Sequence, residues 1–139
     1  MTRLATAVTV CLLSAHLLAQ STPPADKALA VVQGIWVVND VNGKPAPPML
    51  LLIKGDRYEH VVGDKVVERG IIKVDAAQKP MIFDMVIQEG QDAGTTQLGI
   101  VEVAGETMKL KLSAPGGTRR PTSFNAEEGF LLGTLTRRK

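Results

Sequence analysis

Few residues of this chain could supply an imidazole or a thiol for acid–base, nucleophilic or metal chemistry. The histidines are His16 and His60, and the one cysteine is Cys11. His60 is the only histidine after residue 19. Nucleophilic triads and zinc sites need more partners than its one imidazole supplies. In RYEHVV, strand alternation turns His60 and Glu59 to opposite faces, which predicts a surface or barrel-rim histidine, with pH sensing or ligand contact as the alternative. We therefore predict no catalytic residue, no metal site and no cofactor.

Asp84 is the most conspicuous acid, because it interrupts the apolar segment MIFDMVI. A carboxylate among apolar residues needs hydrogen bonds or a cationic partner, and Arg119 or Arg120 of the TRRP segment is suited to supply one. We expect a structural role in pinning that loop. Ligand recognition and catalysis are the alternatives for Asp84, and an anion-binding rim is the alternative for the two arginines.

The N-terminus has the layout of a secretory signal peptide. Residues 1–19, MTRLATAVTVCLLSAHLLA, carry an early positive charge at Arg3, an apolar stretch from Leu4 and small Ala19 at a plausible cleavage point. Cleavage removes Cys11, so disulfides and thiol chemistry are excluded from the mature chain. We predict a periplasmic or secreted protein that is not inserted in the membrane after cleavage.

Charge argues against two classes of partner. The chain has 16 Lys and Arg against 14 Asp and Glu, and removal of Arg3 leaves 15 against 14. A nearly neutral domain has no electrostatic attraction for nucleic acid or for an anionic membrane surface. We therefore expect neither as a partner.

The rest of the chain is patterned for β-structure. Residues 20–33 form an N-terminal segment with a short helix that ends at Gly34, and residues 34–139 form the domain. Short turns separate about eight strand candidates: Ile35 to Asp40, Met49 to Lys54, Arg57 to Val62, Lys65 to Val74, Met81 to Glu89, Gln97 to Val103, Thr107 to Leu112, and Phe130 to Arg137. Such links make successive strands antiparallel neighbours, which predicts an all-β, eight-stranded up-and-down barrel.

The single tryptophan has a structural explanation in such a barrel. Trp36 begins the first strand and can plug the closed end, while Gly34 lets the incoming chain turn beneath the ring. Arg137 ends the last strand, which pairs with the first in a closed barrel. We therefore predict that its guanidinium stacks on Trp36.

The ordered set QGIW, NGKP, KGD, KPMIFD, LGI, RRP and TLTR resembles a family of exported lipocalin-like domains found largely in planctomycetes and related bacteria. The resemblance covers about residues 29 to 138 and implies the barrel fold and export, but no activity. Its pattern falls on the following residues: Gln33, Gly34, Trp36, Gly43, Gly55, Pro80, Asp84, Gly99, Arg120, Pro121 and Arg137. The chain departs from it at Val101, where the family usually has an aromatic residue, so a relative's ligand need not fit here.

An eight-stranded barrel is either filled by its side chains or holds one small ligand, and the sequence leaves both open. Our leading hypothesis is a monomeric, non-enzymatic binding protein for a small apolar molecule. Its candidate ligand contacts are Val38, Tyr58, Phe83, Met85, Met108, Leu110 and Arg120. The alternative is a packed barrel that acts through its Gly- and Pro-rich loops on a protein of the cell envelope, as an inhibitor or assembly factor.

Overall fold

The structure is a computed structural model that describes residues 24–139, with side chains from Lys27 onward. The predicted signal peptide, residues 1–19, lies outside the described residues, as does the start of the segment that follows it. Within the described part of the chain, no helix is long and apolar enough to cross a membrane.

A short helix precedes the strands, as the sequence predicts. Helix α1 spans Pro24–Val32, and proline suits a first helical position because its missing N–H has no partner to lose there. Ala28 and Val32 are buried. Gly34 follows with φ of 126°, a conformation that favours glycine, and the chain turns there into the first strand.

Gln33 fixes the junction between the helix and the barrel. Its amide nitrogen donates to the carbonyl oxygens of Leu29, at 2.9 Å, and Gly55, at 2.8 Å. Its amide oxygen accepts from the Gly55 N–H at 2.6 Å. One side chain therefore joins the end of α1 to a turn of the barrel.

Ten strands follow the helix. They are β1 (Gly34–Val41), β2 (Lys44–Pro45), β3 (Met49–Lys54), β4 (Arg57–Val62), β5 (Lys65–Asp75), β6 (Met81–Glu89), β7 (Thr96–Gln97), β8 (Gly99–Ala104), β9 (Thr107–Ser113) and β10 (Phe130–Arg137). The sequence predicts one strand over Gln97 to Val103. The structure divides it at Leu98, so that β7 and β8 pair with different parts of β6.

Eight of these strands form a closed antiparallel barrel in the order β1, β3, β4, β5, β6, β8, β9, β10. β10 pairs with β1 and closes the sheet, while the two-residue strands β2 and β7 add to β1 and β6. Each main strand pairs with its neighbours in sequence. The predicted all-β, eight-stranded up-and-down barrel is confirmed.

The barrel has a packed end and an end surrounded by longer loops. Trp36 is fully buried at the packed end, and its indole N–H donates to the Val32 carbonyl oxygen at 2.9 Å, so α1 lies against this end. Arg137 is the register partner of Trp36, and its guanidinium carbon lies 4.5 Å from the indole ring centre. The predicted stacking is therefore present. The loops after β1, β6 and β9 lie at the opposite end of the barrel.

Candidate functional site

A cavity of about 440 Å³ occupies the loop end of the barrel interior. Its wall is mainly aliphatic, and it includes Val38, Leu51, Met85, Leu110, Leu112 and Leu135. These side chains lie on inward-facing positions of their strands, because successive side chains of a strand alternate between its faces. The interior thus combines both states that the sequence leaves open: it is packed around Trp36 and hollow at the other end.

Four residues add polar groups to the apolar wall. His60 and Glu68 are register partners on β4 and β5. The other two are Asp92, in the loop after β6, and Gln97 of β7, which pairs with β6. Gln97 is buried and donates from its amide to the Ser113 carbonyl oxygen at 3.0 Å. Apolar walls with a few polar groups are typical of small-molecule sites.

Glu68 reaches the interior by the regular alternation of β5. It lies on the same face as the buried Gly70 and Ile72, and its register partner is His60. Val61 pairs with Val66, so Val67 is an extra residue and the alternation reverses N-terminal to Glu68. Val66 therefore faces outward and is exposed.

Tyr58 holds the Glu68 carboxylate in place. Its hydroxyl donates to Oε1 of Glu68 at 2.7 Å, and its ring is almost fully buried. Burial, and then the hydrogen bond to Glu68, raise the pKa of Tyr58 well above its ordinary value, so the hydroxyl remains a donor. Gly70 leaves room for the ring, because a Cβ atom there would lie 2.9 Å from the Tyr58 ring and 2.0 Å from the Val86 carbonyl oxygen.

His60 lines the cavity rather than the outer surface, and it is partly buried. Burial lowers the pKa of its imidazole, and the nearby Glu68 carboxylate opposes that shift only in part. At neutral pH the ring is therefore uncharged. The sequence predicts a surface or rim position for His60, whereas the structure places it in the cavity wall. Ligand contact, the alternative interpretation, is compatible with that position.

Only some of the predicted ligand contacts lie on the cavity. Val38, Met85 and Leu110 line it. Phe83 and Met108 are fully buried in the packed core, and Tyr58 reaches the cavity only through Glu68. The inward-facing residues of β6 and β9 are those that the sequence predicts. Phe83 and Met108 belong to the packed end, and Met85 and Leu110 belong to the cavity wall.

Arg120 lies on the outer face of the barrel with Asp84. Asp84 alternates with the inward-facing Phe83 and Met85, and Arg120 forms two contacts with its carboxylate, one of them at 3.0 Å. The guanidinium also donates to the Gly99 carbonyl oxygen at 2.9 Å. Arg120 is thus apart from the cavity, and Asp84 pins the TRRP segment as the structural interpretation predicts.

Lys111 is a buried residue that the sequence analysis missed. It is fully buried on the outward face of β9, and its ammonium donates to the carbonyl oxygens of Ser123, at 3.0 Å, and Asn125, at 2.7 Å. It also pairs with Glu127 at 3.2 Å. The segment between β9 and β10 therefore crosses this face of the barrel and covers Lys111. Only that long-range contact distinguishes it from the exposed Lys109 two residues earlier.

Among the side chains of residues 27–139, no group of three or more His, Cys, Asp or Glu is arranged to hold a metal ion. Comparisons of the chain with protein families, with curated proteins and with solved structures found no significant match.

Proposed function

We propose that the protein is an exported, non-enzymatic binding protein that holds a small, largely apolar molecule at the loop end of its barrel. The observation that carries this proposal is the cavity of about 440 Å³. Its volume is within the range of ligand pockets, which is about 300 to 1,000 Å³. Its aliphatic wall favours an apolar body, because transfer of apolar surface from water into such a site is favourable.

Export is the part of the proposal that rests on the sequence. The charged start, apolar stretch and small-residue cleavage point in residues 1–19 are typical of a signal peptide. The mass of the protein recovered from the periplasm or medium tests it. A mature N-terminus near Gln20 supports export, and a full-length cytoplasmic product contradicts it.

Gly133 offers a direct test of the cavity. It lies in β10 and lines the cavity, and a Cβ atom built there meets no heavy atom closer than 3.6 Å. Gly133→Leu therefore adds an aliphatic side chain to the empty space without a backbone collision. Thr107→Leu is the matched control, because it adds the same side chain at an exposed position of β9, at the packed end.

The two variants are to be compared with the wild type by native mass spectrometry and calorimetry. Protein purified without denaturation is assayed for bound molecules and then titrated with a panel of apolar metabolites. We expect binding to the wild type and to Thr107→Leu, and at least about tenfold weaker binding to Gly133→Leu. Equal binding by all three proteins would place the ligand elsewhere, and no binding by any of them would overturn the proposal.

A second candidate is a protein-interaction module that acts through the segment between β9 and β10. The favouring observation is that Lys111 and the Asp84–Arg120 pair fix this long segment on the barrel surface, although only its Pro115 lines the cavity. Affinity capture from the envelope fraction, with residues 116–124 replaced by a flexible linker, tests it. An unchanged set of captured proteins counts against this candidate.

A further inference from the structure

The polar groups of the cavity indicate which ligand head group fits it, an inference that rests on the proposed binding function. Glu68 is the only one of the four polar wall residues that brings a carboxylate into the barrel from a strand of its wall. The neighbouring Arg69 faces outward, where it pairs with Glu59, at 3.6 Å, and Glu89, at 3.1 Å. The salt bridges of β5 therefore lie outside the barrel.

The Glu68 carboxylate has unused acceptor capacity. Oε1 accepts one hydrogen bond, from Tyr58, and Oε2 accepts none from the side chains and backbone of residues 27–139. An ionised carboxylate has about four acceptor sites. Glu68 is half-buried, so a ligand group that donates hydrogen bonds and carries positive charge can take the free acceptor sites of its carboxylate.

The remaining charges of the wall have the same sign. Among the described residues that line the cavity, Glu68 and Asp92 are acidic and none is lysine or arginine. His60 is uncharged at neutral pH because burial lowers its pKa. A cationic head group is attracted to this wall, and the carboxylate of a fatty acid is repelled.

We propose that the cavity binds an amphiphile with an aliphatic body and a protonated amine, whose ammonium group donates hydrogen bonds to Glu68. The aliphatic body lies against Leu51, Met85 and Leu110. The hydrogen bond from the Tyr58 hydroxyl keeps the Glu68 carboxylate oriented. Asp92, at the loop end, adds negative charge along the path by which the cation enters.

Three probes of equal chain length test this preference: octylammonium, octanol and octanoate, each titrated below its micelle concentration by calorimetry. With the wild type we expect octylammonium to bind at least about tenfold more tightly than octanol, and octanoate to bind most weakly. Glu68→Gln keeps the size of the side chain and removes its charge. We expect that variant to bind octylammonium no more tightly than octanol.

The outcomes separate the head-group preference from the binding function. If octanol or octanoate binds the wild type as tightly as octylammonium, or if Glu68→Gln keeps the full preference, the amine assignment is wrong and the cavity function stands. If the wild type binds none of the probes, or if Gly133→Leu binds all of them as the wild type does, the binding function of the cavity fails. Circular dichroism of each variant confirms that the barrel is folded.

Discussion

The Tyr58 hydroxyl and the Glu68 carboxylate are joined by a 2.7 Å hydrogen bond inside the barrel, between β4 and β5. Glu68 lies on the inward face of β5 with Gly70 and Ile72, and Gly70 leaves space for the tyrosine ring. This arrangement places a supported carboxylate against an aliphatic cavity. Glu68 and Gly70 of β5 thus determine, with Tyr58, the position of the carboxylate in the proposed site.

Tyr58 should make the folded state sensitive to alkali. Burial raises its pKa above the ordinary value of 10.0, so above that pH the unfolded chain releases the phenolic proton while the folded protein retains it. The stability that Tyr58 contributes is complete below pH 10 and is lost as the pH rises further. We expect a loss of at most about 1.4 kcal/mol per pH unit, relative to Tyr58→Phe.

The measurement is clear because Tyr58 is the only tyrosine of the chain. Tyrosinate absorbance followed against pH reports this residue alone, and urea unfolding at the same pH values gives the stability difference. Tyr58→Phe is the control for alkaline loss caused by lysines. A phenol that titrates near its ordinary pKa while the protein is still folded would contradict the buried hydrogen bond.

His60 should have the converse effect in acid. Burial lowers its pKa, so as the pH falls below the ordinary value of 6.5 the unfolded chain takes up a proton before the folded protein does. The stability due to the neutral ring is complete above that pH and is lost as the pH falls through the folded pKa, by at most about 1.4 kcal/mol per pH unit. The ionisable groups that share the cavity with it are Glu68 and Asp92, with Tyr58 behind Glu68.

Urea unfolding between about pH 5 and 8 measures this loss, with His60→Gln as the control. We expect the stability of the wild type to decline toward pH 5 more steeply than that of the variant, which retains the two carboxylates. Since His60 is the one histidine of residues 20–139, the proton resonances of its ring give the folded pKa directly. Parallel pH profiles for both proteins would exclude the predicted effect.

Strand alternation and turn residues predicted the barrel well because they are local signals. The predicted bounds of β3, β4, β6 and β10 agree with the structure, and so does the pairing of Trp36 with Arg137. Glu68 was not identified, although alternation back from Ile72 and Gly70 places it on the inward face, because a glutamate on a strand is ordinarily expected to face solvent. The boundary between packed core and cavity was also hidden, since it depends on how side chains from different strands share the interior.

Trp36 should be the largest single contributor to the packed end. Trp36→Ala removes a fully buried indole and its hydrogen bond to Val32, so we expect a loss of roughly 3 to 5 kcal/mol in unfolding free energy. Arg137→Ala removes the stacked guanidinium and its 3.0 Å bond to the Val31 carbonyl oxygen. We expect that variant to lose about 0.5 to 2 kcal/mol.

Urea unfolding followed by circular dichroism compares these variants, with Arg138→Ala, at an exposed neighbouring position, as the control. The wild-type fluorescence provides an independent check, because Trp36 is the only tryptophan. We expect the emission of an indole shielded from water. An emission typical of a fully exposed indole, or equal stability of Arg137→Ala and Arg138→Ala, would contradict this account of the packed end.

Lys111 should hold the segment between β9 and β10 against the barrel. Lys111→Met keeps an unbranched side chain of similar length but leaves the Ser123 and Asn125 carbonyl oxygens without their donor. Unpaired polar groups at buried sites cost about 1 to 3 kcal/mol, so we expect a loss of stability in that range. Because the lost contacts all lie in this segment, local opening should increase more than global unfolding.

Limited trypsin digestion tests for that opening, since Arg119 and its exposed side chain lie in the segment that Lys111 holds. Lys109→Met is the matched control, as Lys109 is exposed on the same face of β9 two residues away. We expect faster cleavage after Arg119 in Lys111→Met and unchanged cleavage in Lys109→Met. Equal cleavage rates for both variants would mean that the Asp84–Arg120 pair fixes the segment without help from the buried ammonium.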